Sequence, residues 1–335
     1  MAGGQERILR RRIRSIRSTQ KITRAQELIA ASRIARAQTQ VEAAQPYSDT
    51  ITEVVHDLAA AGGAGDSLLL TPRPDIRKVA YIVIAADRGL CGAYNSSVIR
   101  TAERAIEARR AYGGDYALVL VGRKPESYFR YREYRIDAAF SGFSERPSYE
   151  DAKRVGAAAT EMFVSGDIDL VEIVSTRFVT IGTQIVEQQR LMPLAREELI
   201  ATDGAAPAAP APGGGGDQGV QAAYEFEPSP EGILDLLLPR YVDARVYAAL
   251  LNAAASEHAA RQRAMKSATD NAEDLITNLT RNMNRARQDA ITTEIMEIVG
   301  GAEALRTGGV RPDDLLADTI EARDSDLFAA RVADR

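Results

Sequence analysis

The sequence predicts an α/β protein with long helices, in which N- and C-terminal helices pair as an antiparallel left-handed coiled coil carrying a three-layer α/β foot domain. Three observations predict it. Both ends of the 335-residue chain are long helix-forming stretches, each with a thin apolar stripe. The middle alternates short β-branched runs with helical patterns. Aromatic residues are only 6% and Trp is absent, so much of the packing is narrow and built on Ala, Ile and Leu.

The N-terminal coiled-coil helix is expected over 1–60. Gln5 to Leu58 holds no Gly and a single Pro, Pro46, among Arg, Gln, Ala, Glu, Ile and Leu, all but the Pro tolerant of helix. Ile22, Ala25 and Ile29, then Ile34 and Val41, then Ile51, Val54 and Leu58 form a stripe nearer a coiled-coil seam than a core face. The helix would be ~80 Å long at ~1.5 Å per residue, bent at Pro46 and ended by Gly62, Gly63 and Gly65.

The α/β foot domain spans 76–192. Val79 to Ala85, Tyr116 to Val121 and Leu170 to Thr176 read as strands, and Ser97 to Arg110 and Tyr149 to Phe163 as helices between them. That alternation gives a largely parallel, Rossmann-like sheet between helical layers. Residues 201–219, mostly Ala, Pro and Gly, read as a flexible insertion.

The C-terminal coiled-coil helix covers 229–306. Met265, Thr269, Ala272, Ile276, Leu279, Met283, Ala286 and Ala290 alternate steps of four and three, the period of a left-handed supercoil. Gly300 and Gly301 weaken this helix, and Gly308, Gly309 and Pro312 stop it. Residues 307–335 form an acidic extension, with Leu315, Leu316, Ile320, Leu327, Phe328 and Val332 spaced as a short amphipathic helix. Two seams at the ends of one chain, joined through a compact domain, favour pairing with each other.

Charge is polarised. The net charge is −5, yet Arg7 to Arg36 carries ten basic residues against Glu27 alone. A basic front on an acidic protein points to a specific acidic partner surface. The Ile residues and continuing seam in Arg10-Arg-Arg-Ile-Arg14 argue for protein packing rather than nucleic acid. Asp87-Arg-Gly-Leu-Cys-Gly92 follows the first strand, where phosphates bind in many α/β proteins, but it lacks the GxGxxG and GxxxxGK[ST] spacings; it reads as a tight turn. Cys91 has no His near it in sequence, His56 and His258 lie on the long helices, and no Cys/His cluster suits a metal. The reading therefore holds no catalytic residue, cofactor or metal. No apolar run reaches the roughly 20 residues that cross a bilayer.

Four segments carry a family resemblance. Ser18-Thr-Gln-Lys-Ile-Thr-Arg-Ala-Gln-Glu-Leu-Ile-Ala-Ala-Ser32 resembles the opening helix of γ subunits of F-type ATP synthases. Met265-Lys-Ser-Ala-Thr-Asp-Asn271 and Asn284-Arg-Ala-Arg-Gln-Asp-Ala-Ile-Thr-Thr-Glu-Ile295 resemble that family's C-terminal helix. Asp87 to Asn95 looks like part of its foot domain. The resemblance spans about residues 5 to 305 and implies the central-stalk rotor, which couples proton-driven rotation to ATP synthesis. It implies that the coiled coil enters a ring of α and β subunits, its C-terminal end deepest, while the foot binds the ε subunit and the c-ring. Membrane contact is then only through the c-ring, at the cytoplasmic face of a bacterial cell membrane. Contacts to the α/β ring are implied for Arg14, Arg17, Lys21, Arg24 and Gln26 near the start, and for Arg287, Gln288 and Thr292 at the deep end. The seam comprises Ile22, Ile29, Met265, Ala272, Ile276, Leu279, Met283 and Ala286. Gln26 departs from the family's frequent Met, the 201–219 insertion is long, and the chain runs about 30 residues past the usual end near Leu305. The alternative is a non-rotary coiled-coil tether displaying an α/β binding domain.

Overall fold

The structure, a computed structural model, describes residues 2–58, 69–71, 73–194 and 229–307. The insertion 201–219, the glycines at 62, 63 and 65, and the extension beyond Thr307 lie outside the described residues. Helix α1 spans Ala2–Leu58 and β1 Lys78–Ile84. Next come α2 Tyr94–Ala111, β2 Asp115–Val121, α3 Arg123–Tyr131 and β3 Ala138–Phe140. Helix α4 is Tyr149–Val164, β4 Leu170–Phe178 and β5 Gln184–Met192. Helix α5 is Pro230–Thr307.

Pro46 lies inside α1 and Pro239 inside α5 without ending either helix. Gly300 and Gly301 are likewise carried within α5. Helix α3 and strands β3 and β5 are not among the elements expected from sequence. Their signals are weak for physical reasons. In α3 only Pro125 and Phe129 are buried. In β5 only Leu191 and Met192 are buried, as befits a polar sheet edge.

The chain divides into two compact units, residues 1–21 with 270–335, and residues 22–269. In the second unit the five strands lie in the order β3-β2-β1-β4-β5. Strands β3, β2, β1 and β4 are parallel, and β5 returns antiparallel on β4. Alternation sorts the side chains into two cores. Ala80, Ile82 and Ile84 of β1, with Ala117, Val119 and Val121 of β2, join Ala152, Val155 and Phe163 of α4 and the ends of both long helices. Val79, Tyr81 and Val83, with Tyr116, Leu118 and Leu120, face Val98, Ala102 and Ile106 of α2 and Phe129 of α3. The sheet is therefore sandwiched between helical layers.

Within this unit the long helices run antiparallel. Ile51, Val55 and Leu58 of α1 share a core with Leu234 and Leu238 of α5. Further back along α1, Val41 and Ala44 adjoin Ala248 and Leu251, and Thr23 Oγ1 sits 2.8 Å from Thr269 Oγ1. As α1 numbers fall, α5 numbers rise.

The inward face of α1 corrects part of the expected seam. Ile22 and Ile29 are 59% and 45% exposed, and Val54 is exposed as well. The buried positions are Thr23 and Ala30, then Ile34, Ala37, Ile51, Val55 and Leu58. These fit heptad steps of three and four. Small and hydroxyl side chains occupy the inside because the helices approach closely there. Thr269 donates to Met265 O at 2.8 Å, so Thr23 donates to Thr269, and both buried hydroxyls are satisfied. On α5, Met265, Thr269 and Ala272 are buried. In the first unit Ile13 is buried on α1, and Ile276, Leu279, Met283, Ala286 and Ala290 of α5 are half-buried.

Candidate functional site

The crevice beyond the carboxyl ends of β1 and β4, where strand order reverses, is the usual ligand site of a doubly wound sheet. Here α5 lies across it. Phe178 N donates to Asn252 Oδ1 at 3.3 Å and Ser256 Oγ donates to Thr176 O at 3.3 Å. Tyr94 Oη donates to Ala253 O at 3.1 Å. The Asp87–Gly92 turn is shaped to receive the helix rather than a phosphate. Leu90 and Gly92 adopt φ of 64° and 58°, and Ala264 lies against Gly92. Cys91 is buried beneath this contact, and burial pushes its thiol up, with the Glu257 carboxylate adding to the shift.

Asp87 organises the loops at this end of the sheet. Its carboxylate accepts from Arg123 N at 3.1 Å, Gly142 N at 2.9 Å and Ser144 N at 3.1 Å. Asp87 N in turn donates to Ser144 Oγ at 2.9 Å. Gly122 completes the junction at φ 104°, where a Cβ would fall 2.3 Å from Ala85 O.

An ionic cluster lies next to this turn. Glu257 and Arg261 of α5, 1% and 5% exposed, form a 2.6 Å ion pair. Glu145, in the loop before α4, pairs with Arg33 of α1 and reaches Arg261 at 3.6 Å and Arg88 at 3.8 Å. Burial pushes the Glu257 carboxyl up, against the pull of Arg261. His258 Nε2 lies 3.2 Å from Glu145 O, which fixes it as the protonated nitrogen. Burial depresses this imidazole below its ordinary value. Gln26, Ile29, Arg33, Arg88 and Leu90 line a cavity at the edge of the cluster. Sequence reasoning missed this cluster. Its signal was an i, i+4 acid–base pair, Glu257 and Arg261, set in an Ala-rich stretch too apolar for a solvated face.

The exposed faces of the long helices are the remaining candidate surfaces. Arg7, Arg10, Arg14, Arg17 and Lys21 of the first unit follow one another in steps of three and four along α1, and all are exposed, as is Arg24 of the second unit. This spacing lays a basic ribbon along one helical face. Arg24 pairs with Glu27 at 3.0 Å, and Gln26 is half-buried at the cavity described above. At the far end of α5, Arg287, Gln288 and Thr292 are exposed, and Thr292 Oγ1 donates to Gln288 O at 3.0 Å. From Ile291 to Arg306 every residue is exposed, including Ile295, Met296, Ile298, Val299 and Leu305. Concentrated exposure of large apolar side chains marks a binding surface. Among the described residues no group of His, Cys, Asp and Glu could hold a metal ion, and no helix is long and apolar enough to cross a membrane.

In the second unit an antiparallel helix pair packs across an α/β sheet, and charged and apolar helix faces are left open. A family model described as ATP synthase matches residues 5–305. A chain from Frankia casuarinae named ATP synthase gamma chain is 51% identical over 309 residues, covering 91% of this chain and 99% of its own length. Another of that name, from Kineococcus radiotolerans, is 47% identical and covers 92% and 99%. The chain belongs to the ATP synthase gamma-chain family. The fold is also that of a chain in the Euglena gracilis mitochondrial ATP synthase OSCP/F1/c-ring structure, with TM-score 0.63 at 17% identity over 92% of this chain and 98% of that one. The Tetrahymena thermophila mitochondrial central stalk/c-ring structure gives TM-score 0.54 at 21% identity, over 74% and 99%.

Proposed function

We propose that the chain is the central-stalk rotor of a proton-translocating F-type ATP synthase. It couples rotation driven by proton flow through the c-ring to ATP synthesis in the α/β ring, and hydrolysis drives it in reverse. The observation that carries this reading is 51% identity to an ATP synthase gamma chain over nearly the whole length of both. A tether reading is not favoured, because the likeness extends along both helices and the α/β domain together.

The mechanism follows from asymmetry. The ribbon from Arg14 through Arg17 and Lys21 to Arg24 concentrates charge along one face of α1. A shaft with unlike faces meets the surrounding catalytic subunits differently at each angle. A contact that favours one conformation of a catalytic subunit shifts its population by the difference in interaction free energy between its states. Turning the shaft therefore moves each subunit in sequence through binding and release. Arg14, Arg17, Lys21, Arg24 and Gln26 would meet acidic surfaces of the ring, and Arg287, Gln288 and Thr292 would meet it near the exposed end of α5. Catalysis resides in the partner subunits, and the complex sits peripherally at the cytoplasmic face of the bacterial cell membrane. Partners are the α, β and ε subunits and the c-ring. Affinity purification of the tagged chain, followed by a native gel stained for ATPase activity, tests the reading. An active band containing α, β and ε subunits is expected. A chain recovered alone, with ATPase activity elsewhere, would refute it.

A further inference from the structure

We propose that Glu145 is the joint that makes α1 of the second unit turn as one body with the α/β domain and α5. The proposal rests on the rotor reading and assigns a positioning residue to it. Helix α5 is held directly by the bonds of Asn252, Ser256 and Ala253 to the domain, and the domain meets α1 at two levels. One is apolar, where Ile51, Val55 and Leu58 of α1 and Leu234 and Leu238 of α5 enter the core beneath the sheet. The other is ionic, at Arg33 of α1 and Arg261 of α5, both paired with Glu145. The 18 residues from Arg33 to Ile51 place the two grips about 27 Å apart along α1 at ~1.5 Å per residue.

The two grips resist different motions. Apolar packing opposes separation but is non-directional, so a helix can roll within it. Charge-assisted hydrogen bonds fix direction as well as distance. The Glu145 carboxylate accepts a hydrogen bond from Arg33 and so holds the azimuth of α1, while it meets Arg261 of α5 only as an ion contact at 3.6 Å. Glu145 is itself anchored to the sheet. Its loop is bound through Ser144 and Gly142 to Asp87 at the end of β1, and its carbonyl holds His258 of α5 at 3.2 Å. Rotation of the domain is thereby passed to α1 and α5 through directed bonds. Without the Glu145 charge, Arg33 loses its ion-pair partner, while Arg261 keeps Glu257 on its own helix and the Gly89 carbonyl at 3.5 Å.

The experiment compares E145Q, R33Q and the double variant in assembled complexes in membrane vesicles, reading ATP-driven proton pumping against ATP hydrolysis. E145Q should assemble and hydrolyse ATP while the ratio of pumping to hydrolysis drops at least about twofold, the lower end of the effect of residues that carry coupling. R33Q should lower it less. Adding R33Q to E145Q should lower it no further, because both act through one bond network. E145D, which keeps the charge, should retain most of the coupling. An unchanged ratio in E145Q, or losses that add in the double variant, would overturn the joint. If E145Q fails to assemble, R33Q alone decides, since its half-exposed site tolerates replacement; an unchanged ratio there overturns the proposal. An unmodified chain that never joins α and β subunits would overturn the rotor reading and the joint with it.

Discussion

Ile29 and Ala30 are adjacent on α1, and aspartate at each position separates two assignments of its inward face. Ala30 is 1% exposed and lies at the close approach of the helices, beside the cavity that also holds Arg33 and Arg261. An aspartate there would be a charge desolvated at a packed helix contact, only partly offset by those guanidiniums, at a cost of about 2–4 kcal/mol. Ile29 is 45% exposed. Full burial of such a side chain stabilises by about 2 kcal/mol, so losing the covered half costs about 1 kcal/mol. Urea unfolding of the purified variants, followed by far-ultraviolet circular dichroism, reads the difference. Ala30→Asp should shift the midpoint strongly and Ile29→Asp little. Equal losses, or a larger loss at Ile29, would refute the assignment of Thr23 and Ala30 to the interior.

Three further outcomes follow from the same geometry. Gly122→Ala places a Cβ 2.3 Å from Ala85 O at φ 104° and should cost about 2–3 kcal/mol in the same unfolding assay. His258 is held neutral by burial, facing Glu145, Arg261 and Arg33, so its folded pKa lies below the unfolded value of about 6.5. Its contribution is then complete above pH 6.5 and is lost as pH falls towards the folded pKa, at up to about 1.4 kcal/mol per pH unit; His258→Gln should flatten that part of the curve of stability against pH. Replacing Arg17, Lys21 and Arg24 together by Glu should impair assembly and coupling through like-charge repulsion, whereas each exposed position alone contributes only ~0–1 kcal/mol.

The two long helices were legible because their apolar positions repeat over many turns. On α5 the inward series Met265, Thr269 and Ala272 could be followed directly, since each is apolar or small and its neighbours are charged. On α1 the same procedure selected Ile22 and Ile29 by hydrophobicity, while the inward positions hold Thr23 and Ala30. A close helix approach rewards small side chains and a matched hydroxyl pair, and hydropathy reports neither. The parallel strands were legible as continuous apolar runs because both faces are covered. The polar edge strand β5 carries no such run. The ionic cluster depends on tertiary arrangement: Glu145 and Asp87 lie in loops, and nothing local shows that one meets two helices and the other ties three loops. The interpretation of Asp87–Gly92 as a turn could be reached from the missing phosphate-loop spacing, but that α5 lies across the crevice beside it needed the fold.

The most direct test of the account is to watch the chain turn. A bead attached at a cysteine introduced for the 88% exposed Tyr112, on an immobilised α/β ring supplied with ATP, reports motion of the α/β domain. The account predicts sustained rotation in one direction while ATP is hydrolysed. Undirected rocking of the bead during continued hydrolysis would contradict it.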